Sequence, residues 1–180
     1  MSKIGKKNIL IPKDSSIKIE GANLTISGPK GTTKLSINDK IFSSKSNETE
    51  FQIQPLEKKI DKKTSIMWGT YRSLINNAII GVSAGHKKLL DITGVGFRAN
   101  LKGDMLNLQL GFSHDINFKI PKDIKITVEK QTSITITGVD KELVSKVASD
   151  IKSLKPVEPY KGKGIKEKNQ YVLRKEGKKK

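Results

Sequence analysis

The 180-residue chain carries 35 Lys and Arg against 18 Asp and Glu, a net charge of +17, with 34% hydrophobic residues and no cysteine. The missing cysteine excludes disulfides, thiolate catalysis and zinc ribbons, and so large a charge excess makes a compact chain repel itself unless a polyanion neutralises it, nucleic acid being the commonest such partner ahead of an anionic membrane. Nearly all of the charge is lysine, with Arg72, Arg98 and Arg174 the exceptions, which suits phosphate neutralisation better than base reading, although a biased genome composition yields the same pattern.

The opening residues, Met1-Ser2-Lys3-Ile4-Gly5-Lys6-Lys7, lack the apolar run of a signal peptide, and no run is long enough to cross a bilayer. Lys3, Lys6, Lys7 and Lys13 form a basic cluster, readable as a phosphate contact or as a solubilising terminus. Period-two alternation follows: Ile17 with Ile19, Leu24 with Ile26, Leu35 with Ile37, and Phe51 with Ile53. Each pair predicts a half-buried strand. Gly21-Ala22-Asn23 and Gly28-Pro29-Lys30-Gly31 separate them as turns. Near residue 62 the period changes. Met67, Tyr71, Leu74, Ile75, Ala78 and Val82 make a helical stripe, with Thr64 or Ser65 as its cap and Gly81 or Gly85 as its end. Trp68 at its start reads as a core or inter-domain packing residue.

Strands resume at Leu90 and Ile92, then at Phe97, Ala99 and Leu101. Lys102-Gly103-Asp104 is a hairpin turn, and alternation continues through Leu106 to Leu110, Ile116 to Ile120, Ile124 to Val128, and Ile134 with Ile136. Asp140 reads as the cap of a second helix carrying Leu143, Val144, Val147, Ala148, Ile151 and Leu154. The chain also repeats itself. Ile11-Pro12-Lys13-Asp14 returns as Ile120-Pro121-Lys122-Asp123, Ile17-Lys18-Ile19 as Ile124-Lys125-Ile126, and Thr25-Ile26-Ser27-Gly28 as Thr135-Ile136-Thr137-Gly138. The copies are out of step, because in the second the helix directly follows the last repeated strand. The expected fold is α+β, with two duplicated small domains, each an antiparallel sheet packed against one helix.

After Leu154 the apolar pattern stops, and the remaining segment reads as a tail that orders on a polyanion. Within it, Tyr160-Lys161-Gly162-Lys163-Gly164-Ile165 has the makings of a phosphate site. Glycines let the backbone approach closely, lysines supply charge, and Tyr160 offers a stacking ring. Two other stretches carry less. Gly94-Val95-Gly96-Phe97-Arg98-Ala99 lacks the third glycine of a dinucleotide loop and precedes a strand, so it reads as a tight turn. Ser113-His114-Asp115 holds the three triad residue types, but consecutive residues of an extended chain point to opposite faces and cannot relay a proton.

These stretches together resemble the family of large-subunit ribosomal protein number six, bacterial type. The resemblance rests on the opening seven residues, Gly28-Pro29-Lys30-Gly31, Gly69-Thr70 with Arg72-Ser73-Leu74-Ile75-Asn76-Asn77, and Gly94-Val95-Gly96-Phe97-Arg98-Ala99. It rests also on Leu106-Asn107-Leu108 running to Leu110-Gly111-Phe112-Ser113-His114, on Glu158-Pro159-Tyr160-Lys161-Gly162-Lys163-Gly164-Ile165, and on Arg174-Lys175-Glu176-Gly177-Lys178. The chain departs from the family at Val157 and at Lys166-Glu167, where an arginine and a tyrosine are usual.

The resemblance implies two duplicated α+β domains that bind large-subunit ribosomal RNA through the second domain and the tail, near the docking site of translational GTPases. The expected boundaries are residues 1–83 for the first domain with its basic N-terminus, 84–155 for the second and 156–180 for the RNA-binding tail. The expected RNA-binding residues are Arg98, Lys155, Tyr160, Lys161, Gly162, Lys163, Gly164, Arg174, Lys175, Lys178, Lys179 and Lys180. The expected role is a structural constituent of the large ribosomal subunit, with a general RNA binder or chaperone as the alternative. The expected partners are large-subunit ribosomal RNA and neighbouring ribosomal proteins, with no membrane and no small-molecule substrate. No enzyme activity, cofactor or metal is expected, and the expected location is the ribosome of a bacterial cytoplasm or of an organelle that makes its own.

Overall fold

A computed structural model describes residues 2–47, 49–57 and 60–177. The chain divides into two compact units: Met1–Gly85 with Val139–Lys141, and His86–Gly138 with Glu142–Lys180.

The first unit runs β1 (Ile9–Leu10), β2 (Ser16–Glu20), β3 (Asn23–Gly28), β4 (Gly31–Ser36), β5 (Phe42–Ser46), β6 (Glu50–Pro55) and α1 (Lys62–Ser83). Its strands form two antiparallel sheets, ordered β1-β6-β5 and β2-β3-β4. The β2–β3 hairpin closes over Gly21-Ala22, with Glu20 opposite Asn23 and Gly21 at φ +59°, a left-handed conformation that glycine enters without penalty. Alternation does its expected work: Leu24, Ile26, Phe51 and Ile53 turn inward and pack with Trp68, Ile75, Ile79 and Val82 of α1. Trp68 is a core residue of this unit. Its indole N–H donates to the Ile53 carbonyl at 2.7 Å, and a Cβ on Gly5 would lie 2.5 Å from the ring.

The helix begins earlier than its hydroxyl residues suggest. Asp61 is the N-cap in extended conformation, and Thr64 and Ser65 lie inside the first turns. At the other end Gly81 is a buried helical residue. Gly85, at φ +79°, ends the helix by donating its N–H back to the Ile80 carbonyl. The Gly28-Pro29-Lys30-Gly31 turn finishes the job: the Lys30 backbone N–H donates to the Val82 carbonyl at 2.9 Å, and its ammonium donates to the Ala84 carbonyl. Those last-turn carbonyls have no partner within the helix, and a lysine there also opposes the negative end of the helix dipole.

The second unit runs β7 (His86–Thr93), β8 (Arg98–Lys102), β9 (Met105–Gln109), β10 (Ile116–Lys119), β11 (Ile124–Glu129), β12 (Ser133–Gly138), α2 (Lys141–Leu154) and β13 (Gly164–Glu167). Its sheets are ordered β11-β12-β7-β13 and β10-β9-β8. Leu90, Ile92, Ala99, Leu106, Leu108, Leu110, Ile134 and Ile136 form the core with Val144, Val147, Ala148 and Ile151 of α2.

Strand orders make the duplication explicit. The order β5-β6-β1 is repeated as β11-β12-β7, β4-β3-β2 as β10-β9-β8, and one helix follows each set of six strands. The α+β class and the duplicated antiparallel arrangement hold, with the strands of each unit falling into two sheets. The residue-level repeat does not hold. It matched β2–β3 with β11–β12, but by topology β2–β3 corresponds to β8–β9, and β11–β12 to β5–β6. An isoleucine alternation closed by Thr-Ile-x-Gly is a local signature of any half-buried hairpin, so it recurs at two non-equivalent places. This also explains why the copies looked out of step.

One strand has no counterpart among the described residues of the first unit. β13 lies within the stretch read as a tail, pairs antiparallel with β7 (Gly164 opposite Thr93, Ile165 opposite Ile92), and puts Ile165 in the core at 0% exposure. Burying one isoleucine and completing four register pairs supplies what the tail's composition lacks.

Candidate nucleic-acid interface

Three loops gather at one end of the second unit. Thr93 ends β7 opposite Gly164, so the turn Gly94-Val95-Gly96-Phe97 that leads to Arg98 lies beside the segment entering β13. Arg98 starts β8 opposite Gln109, the last residue of β9, so the β9–β10 loop closes the same end. The Phe97 ring joins the two turns: a Cβ on Gly94 would lie 2.5 Å from it, and one on Gly111 2.9 Å.

The third loop, residues 155–165, is closed on itself. The Ile165 N–H donates to the Lys155 carbonyl at 3.0 Å, the Glu158 N–H to the Lys163 carbonyl at 2.8 Å, and the Gly162 N–H to the Glu158 carbonyl at 3.0 Å. Its glycines answer different demands, left-handed backbone at Gly162 and space at Gly164. Gly162 sits at φ +69° with the Arg174 guanidinium over it, 3.2 Å from where a Cβ would be. Gly164 sits at φ +138°, and its Cβ would lie 2.6 Å from the Pro156 carbonyl oxygen. The chain then returns, and the Lys175 N–H donates to the Pro159 carbonyl at 2.9 Å.

The expected residues thus sort by position. Tyr160 and Lys161 are exposed at the loop's tip, Lys163 is half-buried, and Gly162 and Gly164 are buried and shape the backbone. Arg174 and Lys175 are exposed and drawn back against the loop. Arg98 is exposed at the same end of the unit. Lys155 is half-buried with its ammonium 4.2 Å over the Phe112 ring. Lys178, Lys179 and Lys180 lie outside the described residues. The arrangement mounts lysines on a glycine turn whose backbone is held by hydrogen bonds, which is suited to phosphate oxygens.

The sequence reading missed two features. The first is an aromatic pair in the β9–β10 loop, where Phe112 and His114 stack with centroids 6.2 Å apart and planes at 25°. Two rings two residues apart in an otherwise polar loop was the available signal. Asp115, read beside His114 in a failed triad, instead accepts a hydrogen bond from the Gln109 amide at 3.3 Å.

The second missed feature is a basic cleft toward the start of β7, lined by Lys87, Lys88, Lys152, Glu167, Lys168 and Gln170. Glu167 bridges Lys88 of β7 (2.9 Å) and Lys152 of α2 (3.2 Å), so the strand is clipped to both. Hydrogen bonds from Lys88 and then Lys152 hold its carboxyl below the usual carboxylate range, against a smaller opposing effect of partial burial. No group of His, Asp and Glu suited to a metal ion occurs among the described residues, nor is any helix among them long and apolar enough to cross a membrane.

Comparison with known proteins agrees with this architecture. A family profile described as Ribosomal protein L6 matches residues 11–85 and again residues 93–168. The second match begins at Thr93, the last residue of β7, and takes in β13, and the two matches have nearly equal lengths, as a duplicated unit requires. Among curated proteins, the "Large ribosomal subunit protein uL6" of Cereibacter sphaeroides is 43% identical over 180 residues, the whole of both chains. Those of Beijerinckia indica and Sphingopyxis alaskensis are each 44% identical, again over the whole of both chains.

Proposed function

The chain belongs to the ribosomal protein L6 family, and from that premise we propose that it is a structural constituent of the large ribosomal subunit, holding ribosomal RNA in its tertiary packing near the docking region of translational GTPases. The observation that carries this reading is the closed loop of residues 155–165, where Lys161 and Lys163 are mounted on a backbone fixed by three hydrogen bonds and two buried glycines. A preformed cationic loop loses little entropy on meeting phosphates, and its lysines neutralise backbone charge where RNA segments are brought close together. Arg98, Tyr160, Arg174 and Lys175 extend the contact across the same end of the second unit. Neighbouring ribosomal proteins are the remaining partners, and the ribosome of a bacterial cytoplasm, or of an organelle that makes its own, is the place of work.

The test is binding of the full chain to large-subunit ribosomal RNA across a salt series, with unrelated RNA as competitor. If about six phosphates are neutralised, affinity falls on the order of a thousandfold between about 50 and 200 mM salt. Replacing Lys161 and Lys163 together with alanine should weaken binding and reduce the magnitude of the salt slope by about two, with the thermal transition unmoved. A flat salt response sinks the electrostatic mechanism. Equal binding to the competitor would mean a general RNA binder.

A further inference from the structure

Lysines on phosphates position an RNA without reading it, so the loop of residues 155–165 alone does not explain selection of one RNA site. The β9–β10 loop offers a different chemistry. Its topological counterpart in the first unit, between β3 and β4, is the two-residue turn Pro29-Lys30, which caps α1 and bears no aromatic ring. In the second unit the same connection is longer and bears Phe112 and His114, both exposed, with Phe112 at 44%. Neither ring belongs to the core.

The rings are nonetheless held. Gly111, at φ +73°, packs on Phe97 and sets the direction of the loop. The Phe112–His114 spacing of 6.2 Å lies within the range of about 4.5–7 Å for offset aromatic pairs. Lys155, whose carbonyl anchors the phosphate loop through Ile165, sets its ammonium 4.2 Å over Phe112.

We propose that Phe112 and His114, backed by Lys155, form a stacking platform that takes an unpaired RNA base at the end of the second unit. The proposal rests on the RNA-binding reading above and adds to it a preference for a bulge, loop or end. Bases in a continuous helix are already stacked, whereas a splayed base offers its face to an aromatic side chain. Lys155 links the two modes, being the root of the phosphate loop and the cation over the ring.

The experiment measures binding of the full chain to large-subunit ribosomal RNA across a salt series for the wild type and for F112A, F112W, H114A and the Lys161/Lys163 double alanine variant. F112A should weaken binding on the order of 10- to 100-fold, the range for losing one stacked base, at unchanged salt slope because no charge is removed. H114A should weaken it less, and F112W should restore it. A fully paired RNA duplex should bind wild type and F112A alike. Wild-type affinity in F112A, with the double lysine variant weakened, overturns the platform and leaves the RNA-binding reading standing. A lowered thermal transition in F112A with no rescue of affinity by F112W makes the Lys155–Phe112 contact a loop clamp only, which also overturns it. If the double lysine variant and F112A both bind like wild type, the RNA-binding reading falls and takes the platform with it.

Discussion

In the first unit the strand at the edge of the order β5-β6-β1 has two residues, Ile9 and Leu10; in the second its counterpart β7 has eight and is no longer an edge, because β13 pairs along it. Otherwise the six-strand frames match. The first unit fills its core with Trp68 under a 22-residue helix, and its β3–β4 turn is spent on capping that helix. The second unit has a 14-residue helix, a longer β9–β10 loop and a strand drawn from the basic segment. At one shared position, between the third and fourth strands, the first copy thus keeps a short capping turn, while the second extends the connection into an exposed loop. Apart from Arg98, which starts the frame strand β8, the candidate interface is made from what the second unit adds to the frame.

That contrast is most easily broken at Ile165. Replacing it with alanine empties a fully buried position and should cost about 2–5 kcal/mol. The exposed Leu10 on β1, replaced likewise, should shift stability by no more than about 0.5 kcal/mol. Chemical denaturation measures both, with Trp68 fluorescence following the first unit, which should stay unaffected by Ile165→Ala. Equal effects would mean that β13 is no more part of its unit than β1 is.

A smaller loss is expected from Gly164→Ala. The new Cβ meets the Pro156 carbonyl at 2.6 Å and must adopt φ +138°, so about 1–3 kcal/mol of strain falls on the loop closure. Hydrogen exchange should show faster exchange of the Glu158 and Ile165 amides, with β2–β3 unchanged; unchanged protection at those amides would refute the closed loop.

The smallest effect is Glu167→Gln, about 1 kcal/mol or less because the ion pairs are half-exposed. The folded-state carboxyl is depressed by Lys88 and Lys152, so its contribution is present above the unfolded pKa and lost as pH falls through the lower folded value. The difference between wild type and variant in urea denaturation should therefore be seen at neutral pH and vanish in acid. A difference that persists in acid would assign the effect to packing.

Much of this was legible because it is local. Alternation located ten of the strands but not β1, β5 or β13, which are too short or too polar to show it, the three- and four-residue stripe located both helices, and glycines at positions 21 and 103 marked turns that the structure places at φ +59° and +58°. Gly162 and Gly164 suggested a close approach of the backbone to a phosphate, whereas the close approaches seen in the fold are to Arg174 and Pro156 of the chain itself. What escaped was non-local. Ile165 is a lone apolar residue among lysines and glycines, and only its pairing with β7 makes it a core residue. The repeat slipped to the wrong hairpins because its short motifs encode a hairpin, not a place in the sheet order. Phe112 and His114 passed unremarked as a pair, because stacking depends on how Gly111 turns the loop on Phe97, which is not written within the loop itself.

The pairing of β13 with β7 also bears on how the chain is made. β7 joins a sheet only once Gly138 completes β12, and Glu167 completes β13, so at about 5–20 residues per second the ribosome takes roughly 1.5–6 s to supply the missing partner. For that interval β7 is a nascent sheet edge with an open row of hydrogen-bonding groups, the kind of template on which unrelated chains aggregate. Lys87 and Lys88 stand at the start of that edge, and Glu167 is not yet made to pair with Lys88. Uncompensated lysine charge on an open strand disfavours such pairing, and the same lysines line the cleft once Glu167 is in place.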